Sequence, residues 1–413
     1  MTRVALTALG CKVNFAEMAE LAGKLAAAGL DVVADDDHAD VRVLNSCTVT
    51  LQADATTRQR LHRLRRDDPA AHLIVTGCSV DANPGHYATG VDAVFDNAAK
   101  PGIADYILER FPGGGAAPAA TLRSRAFLKV QDGCDHRCTY CIVWRARGGQ
   151  SRSLTPNEVL DRADEALQKG HRELVLTGVD LGSYGREHDT TLAALLQTLL
   201  DRIGDARVRL SSVNANDVTP QLAELNAHPR LCAHWHMPLQ SASDDVLKRM
   251  HRGHRMAQYR RVVAALRAAD PGTELTTDLM VAFPGETEDD HHRTVDYVAE
   301  AGFLHCHVFR WSPRPETPAA AYGDRIDDAT ARRRSAEVRR AATHSGNAAR
   351  VRALGSTAEV VWERVEGNQA RGLTDTWHTV VATPNRGTRS GTLQRVRLDA
   401  VDGEVLRATL LDP

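Results

Sequence analysis

A chain of 413 residues has room for two or three domains, and 43% hydrophobic with 25% charged residues is the ordinary globular mixture. With 51 basic and 53 acidic side chains the net charge is −2, so no overall field draws the chain onto nucleic acid or membrane, and any basic surface must be local. No run approaches the roughly 18 apolar residues of a membrane helix, no export signal is apparent, and eight cysteines are too sparse for a disulfide scaffold. A secreted, membrane or disordered protein is therefore not expected, and the expected compartment is cytoplasmic.

Residues 1–110 alternate strand and helix patterns. Arg3–Leu9, Val41–Leu44 and His72–Thr76 read as strands. Phe15–Leu30, Leu51–Arg66 and Ile103–Phe111 read as helices. This alternation predicts a parallel sheet faced by helices. Residues 112–124, which include Pro112-Gly-Gly-Gly-Ala-Ala-Pro118, carry no periodicity and are expected to be a linker.

A second alternating series follows. Its strands are predicted at Ala126–Val130, Glu173–Thr177, Arg207–Ser212, Ala233–Met237, Glu274–Thr277 and His305–Trp311, with helices at Pro156–Lys169, Thr190–Ile203, Asp244–His251, Met256–Ala269 and Thr287–Ala301. Six strands are too few for an eight-fold barrel, so a partial barrel or an open sheet is expected. After a basic helix, Ala329–Leu354, five short strands separated by Gly, Asn and Asp turns predict a small all-β barrel of the oligonucleotide-binding sort. The expected fold class is α/β, divided into domains at 1–111, 125–345 and 346–413.

Six cysteines form two sets. Cys134, Cys138 and Cys141 lie within GCDHRCTYC, just past the strand Ala126–Val130. Three thiolates at this spacing hold three irons of a 4Fe–4S cluster and leave the fourth open to a small chelating ligand. A structural zinc site is the alternative, but it wants a fourth ligand at similar spacing. Cys11, Cys47 and Cys78 are far apart in sequence, yet each directly follows a predicted strand. In a parallel sheet all carboxyl ends share one rim, so the three converge and predict a second cluster with three cysteine ligands. Three packed thiols are the alternative there, and Cys232 and Cys306, beside apolar strands, are expected to be packed thiols.

GCDHRCTYCIVWRARGGQSRS resembles the cluster loop of radical S-adenosylmethionine (SAM) enzymes, and the whole chain resembles the methylthiotransferases of that group. Further matches are GCKVN at 10–14, NSCTVT at 45–50, LVLTGVDLGSYG at 174–185, RLSSV at 209–213, MPLQSASDDVLKRMHR at 237–252, TTDLMVAFPGETEDD at 276–290 and HVFRWSPRPETPAA at 307–320. The resemblance implies an N-terminal three-cysteine domain, a partial (β/α) radical-SAM barrel and a C-terminal RNA-binding TRAM barrel. GCKVN, NSCTVT and LTDTWHTV at 373–380 are most similar to the branch acting on threonylcarbamoyladenosine in tRNA. That branch adds a methylthio group to carbon 2 of the base at position 37.

The implied cofactors are two 4Fe–4S clusters and SAM. SAM is chelated by the cluster on Cys134, Cys138 and Cys141, which cleaves it to open an unactivated C–H bond, and the cluster on Cys11, Cys47 and Cys78 presents the sulfur. The implied partners are the tRNA anticodon stem-loop and an electron donor the sequence does not identify. Tyr140, Thr177, Gly178, Gln240 and Asp278 match positions near SAM or substrate, although local packing, a turn or loop stabilisation would also explain each.

RNA contact is expected from local charge. Ala329–Leu354 carries seven arginines (332, 333, 334, 339, 340, 350 and 352) against Glu337, and the helix after Cys47 carries Arg58, Arg60, Arg63, Arg65 and Arg66. Asp35–His38 and His291-His292 are expected to be solvated. The chain departs from the family's pattern at Ser79-Val80-Asp81, Trp144-Arg145, Asn214-Ala215, Arg310-Trp311 and Glu316. Such a set would reshape a pocket, so a peptide, protein or small metabolite stands as the alternative substrate.

Overall fold

A computed structural model of the chain describes residues 1–35, 37–87, 89–113 and 124–411. The expected linker lies mostly outside the described residues. The chain divides into two compact units, one comprising 1–122, 132–151 and 312–320, the other 123–131, 152–311 and 321–413.

The first unit is built on a five-stranded parallel sheet in the order β2-β1-β3-β4-β5. The strands are β1 (Arg3–Ala8), β2 (Asp31–Val33), β3 (Val41–Ser46), β4 (His72–Gly77) and β5 (Ala93–Phe95). Helices α1 (Lys12–Ala27), α2 (Leu51–Asp67), α3 (Cys78–Ala82) and α4 (Ile103–Arg110) connect or follow them. Every residue of β3 is buried, as a central strand covered on both faces requires. One core packs Val4, Leu21, Leu25, Val43 and Ile74 against Ile103 and Ile107. A second packs Leu44 and Val75 against Leu61 and Leu64 of α2. Thr50 caps α2 by accepting from the Ala53 N–H at 3.1 Å.

In the second unit the six strands expected of a partial barrel are present and parallel. Arg207–Leu210, Glu173–Thr177 and Ala126–Lys129 form one three-stranded sheet, and His234–His236, Glu274–Val281 and His305–Arg310 form another. Single parallel bridges, Val208 to Leu231 and Ser212 to His236, join the two edges into one curved surface. The strand order follows the sequence, and a continuous core including Leu174, Leu176, Val208, Trp235, Leu275 and Val308 packs the strands against their helical cover, with Ala163, Leu195 and Val298 among its helix residues.

The helix Asp328–Ala353 leads to a closed five-stranded barrel made of Thr357–Glu366, Gln369–Thr374, Thr379–Ala382, Leu393–Asp402 and Val405–Leu410. Val360, Trp362, Val380, Val396 and Leu406 fill it. This barrel is held to the central strands by a buried ionic knot. Glu173 is fully buried and bonded to Arg207 Nε at 2.7 Å and Arg209 Nε at 2.8 Å. The remaining guanidinium N–H groups donate to main-chain oxygens of Glu359, Leu373, Thr374 and Asp375, at 2.7 to 3.0 Å. Burial alone would raise the Glu173 carboxyl, but the two arginines outweigh it and hold it well below the carboxylate range.

Candidate active site

Three strands of the first unit end at a cysteine or just before one. β1 runs to Ala8 with Cys11 three residues on, β3 ends at Ser46 before Cys47, and β4 ends at Gly77 before Cys78. Cys11 immediately precedes α1, and Cys78 opens α3. The parallel register sets β1 beside β3 and β3 beside β4, so the three ends are neighbours on one rim. Gly10 shows how closely the chain approaches there. Its φ is +84°, and a Cβ on it would lie 2.4 Å from Cys47 Sγ. Burial pushes the Cys47 thiol up to about 11, and the nearby Cys11 and Cys78 add to that push. Three mutually close thiols, with glycine where a side chain would intrude, fit an iron–sulfur cluster.

A polar network stands behind these thiols. Arg147 is 2% exposed and donates from Nε to Cys78 Sγ at 3.2 Å, from Nη1 to Glu17 Oε1 at 2.5 Å and from Nη2 to Asn14 Oδ1 at 2.8 Å. Burial works against the charge on Arg147, but Cys78, Glu17 and Asp132 more than offset it and raise its pKa further. Lys100 donates to Glu17 and Asn97, both at 2.7 Å. Asn14 donates to the carbonyls of Leu9 and Ser46, which flank Cys11 and Cys47.

Sequence patterns did not single out Arg147, because an arginine in a Gly-rich segment looks like a surface residue. Arg314 was missed because it stands between Pro313 and Pro315, in a segment that looks like a surface loop. It is buried and donates to Asp54 at 2.6 Å and to the Thr48 hydroxyl, next to Cys47.

Cys134, Cys138 and Cys141 occupy one loop of the same unit, Cys138 buried and the other two half-buried. Cys141 N–H donates to the Cys138 carbonyl at 3.1 Å, and Arg137 takes φ +51°, so the segment turns tightly between Cys138 and Cys141. This loop fits a three-ligand cluster. The chain just beyond it packs on α3, where Asn97 donates to the Ala146 carbonyl at 2.8 Å. Tyr140 is half-buried within the loop. Arg145, one of the departures from the family's pattern, pairs with another: its guanidinium reaches the Glu316 carbonyl at 2.8 Å and the carboxylate at 3.7 Å.

In the second unit Thr177 and Ser211 lie at the carboxyl ends of adjacent strands, both buried. Among the described residues neither hydroxyl has a hydrogen-bond partner. Orphaned hydroxyls at a strand-end rim fit the polar amino-acid end of SAM. Gly178 meets the Gln131 side chain, and a Cβ there would lie 2.7 Å from Gln131 Oε1. Gln131 in turn accepts from Asp180 N–H at 2.8 Å. Asn214, another departure, bridges Asp180 and Arg252 at 3.0 and 2.8 Å.

Gln240 is buried at φ +73°, strained for a non-glycine residue, and its main chain brackets Asp278 and Met280. His236 Nε2 lies 3.4 Å from Asp278 Oδ2, and burial of the carboxyl is outweighed by His236 and His307, so its pKa is lowered. His236, His305 and His307 gather around Asp278 in adjacent strands, a cluster the sequence patterns did not reveal. Cys232 and Cys306 are buried thiols, each pushed up by burial to about 12.

Many arginines of the basic helices have partners within the chain. In Asp328–Ala353, Arg332 pairs with Asp328, Arg333 and Arg334 with Glu288, and Arg352 with Glu274. Arg339 and Arg350 donate to main-chain oxygens of Val308 and Glu404. Arg334 and Arg350 are buried, whereas Arg332, Arg333 and Arg352 are paired but exposed. Arg340 makes no hydrogen bond or ion pair among the described residues, and it lines an open 370 Å³ groove with His344 and Asn347. In α2, Arg60, Arg63 and Arg65 pair with Asp35, Asp67 and Asp92. His291 was expected to be solvated; it is fully buried and bonded to Glu337 at 2.6 Å, because helix Glu288–Ala301 turns that face onto Asp328–Ala353.

Among the described residues no helix is long and apolar enough to cross a membrane. Residues 128–298 match the Radical SAM superfamily, and residues 3–95 match the uncharacterized protein family UPF0004. The chain is 38% identical over 335 residues to the threonylcarbamoyladenosine tRNA methylthiotransferase MtaB of Thermotoga maritima, covering 78% of this chain and 77% of that protein. It is 32% identical to the protein of the same name from Chlamydia pneumoniae, covering 97% and 96%. Among solved structures it is similar to the radical S-adenosylmethionine methyltransferase TsrM of Kitasatospora setae, with a TM-score of 0.56 and 15% identity over 78% of this chain and 77% of that one. That likeness concerns the fold alone.

Proposed function

The chain belongs to the MtaB-type radical-SAM methylthiotransferases, and from this we propose that it adds a methylthio group to carbon 2 of N6-threonylcarbamoyladenosine at position 37 of tRNA. The observation that carries the proposal is the gathering of Cys11, Cys47 and Cys78 at three neighbouring strand ends, within a chain that also carries the Cys134–Cys141 triplet. When bound, a 4Fe–4S cluster on Cys134, Cys138 and Cys141 with SAM supplies one-electron chemistry at an unactivated C–H bond, and a cluster on Cys11, Cys47 and Cys78 supplies sulfur.

The chain's own residues bind and orient. The Thr177 and Ser211 hydroxyls receive the amino-acid end of SAM, and Gly178 keeps the main chain open beside them. Tyr140 would lie near SAM. Gln240 and Asp278, with His236 and His307, form the polar wall for the nucleoside. The tRNA contact is the anticodon stem-loop. Shape, the C-terminal barrel and a few uncommitted cations such as Arg340 and Arg58 carry it, since most helix arginines are paired internally. An external one-electron donor completes the system, and a tRNA substrate puts the enzyme in the cytoplasm.

Cysteine variants of the whole chain test the proposal. Replacing Cys134, Cys138 and Cys141 with alanine should abolish 5′-deoxyadenosine formation. Replacing Cys11, Cys47 and Cys78 should leave that product and stop methylthiolation. Transfer that survives the second set would contradict the assignment.

A further inference from the structure

We infer that Arg147 is a positioning residue of the Cys11–Cys47–Cys78 site, holding Cys78 and raising the reduction potential of the cluster bound there. The inference rests on the proposed function, since it takes those cysteines as ligands.

The side chain is fixed on every nitrogen. Nε donates to Cys78 Sγ at 3.2 Å, one terminal nitrogen to Glu17 Oε1 at 2.5 Å, and the other to Asn14 Oδ1 at 2.8 Å. These partners are themselves pinned. Glu17 accepts from Lys100 at 2.7 Å and from Asn45 at 3.0 Å, and Asn14 is tied to the Leu9 and Ser46 carbonyls at 2.8 and 2.9 Å. A guanidinium held this way has one orientation, and it aims an N–H at sulfur. Asn97 Nδ2, at 3.8 Å, is a longer contact to the same sulfur.

An N–H donated to a ligating thiolate draws electron density from the metal and stabilises the more negative, reduced cluster, so the potential rises. Water is kept away, because Arg147 is 2% exposed and Cys78 is 6% exposed, and the interaction is therefore little screened. Arg147 also lies six residues past Cys141 in the chain, so the segment carrying one cysteine triplet grips a ligand of the other. Glu17 gives the converse sign: its negative charge stands behind the guanidinium, and neutralising it strengthens the positive field at Cys78.

The test uses the full chain with Cys134, Cys138 and Cys141 replaced by alanine, reconstituted anaerobically with iron and sulfide, and titrated with electron paramagnetic resonance as the readout. Failure of this parent to hold any cluster would refute the two-cluster reading itself. With the cluster in place, Arg147→Gln should lower the potential and alter the resonance of the reduced state, Arg147→Lys should fall between, and Glu17→Gln should raise the potential. An unchanged potential in Arg147→Gln, or shifts of the same sign in Arg147→Gln and Glu17→Gln, would overturn the inference. Should Arg147→Gln fail to fold, Arg147→Lys decides, since it keeps the charge and loses the Nε–H aimed at Cys78 Sγ: a potential below that of the parent supports the inference and an unchanged one overturns it.

Discussion

Glu173→Gln tests the buried knot that fixes the C-terminal barrel to the central strands. Glu173 is 0% exposed and is the shared anion for Arg207 and Arg209, which are 2% and 0% exposed. Glutamine keeps the shape but turns an N–H toward one guanidinium and leaves two buried cations short of a counter-charge. Removing one partner of such a pair costs about 3–5 kcal/mol, a large part of the roughly 5–15 kcal/mol that holds a domain folded. The loss falls where the arginines act, on the main-chain oxygens of Leu373, Thr374 and Asp375. At about 1.4 kcal/mol per decade, opening of strand Gln369–Thr374 should become roughly two to three orders of magnitude more frequent. Hydrogen exchange followed by mass spectrometry reads this directly, with β3 and β4 as the internal control. Protection of 369–374 that stays within about threefold of the parent would refute the reasoning.

Two further predictions follow from single contacts. Gly10→Ala puts a Cβ 2.4 Å from Cys47 Sγ at a backbone φ of +84°, so reconstituted chain should lose about half of its bound iron while still forming 5′-deoxyadenosine; iron analysis of the variant checks it. His378 is buried, and burial first, then Arg350 and Arg352, lowers its pKa from 6.5 to about 4. Its folded pKa is depressed, so the unfolded chain binds a proton that the folded chain does not, and stability is lost as the pH falls from about 6.5 toward 4, by about 1.4 kcal/mol per unit. Denaturation midpoints measured between pH 7 and 5 should fall less steeply in His378→Gln.

The elements most legible in the sequence were those with a strong period or a fixed rule. All six central strands and the five strands of the last barrel are present, and the cysteines after β1, β3 and β4 were traceable because parallel strands share one rim. β2 and β5 escaped notice because three residues, Asp31–Val33 and Ala93–Phe95, are too few to show alternation. The charge pattern did not show the partners at Asp328–Ala353. A row of arginines looks the same in sequence whether it faces phosphate or faces Glu286, Glu288 and Glu274, and here the partners come from distant segments. Arg147, Arg314 and His236 were hidden likewise, since Cys78, Thr48 and Thr276, which they contact, lie 69, 266 and 40 residues away.

The most direct test of the central claim is mass spectrometry of tRNA nucleosides from cells with and without this gene. Loss of the methylthio form of N6-threonylcarbamoyladenosine, with the unmodified nucleoside accumulating, is the predicted result. An unchanged nucleoside profile would contradict the proposed substrate.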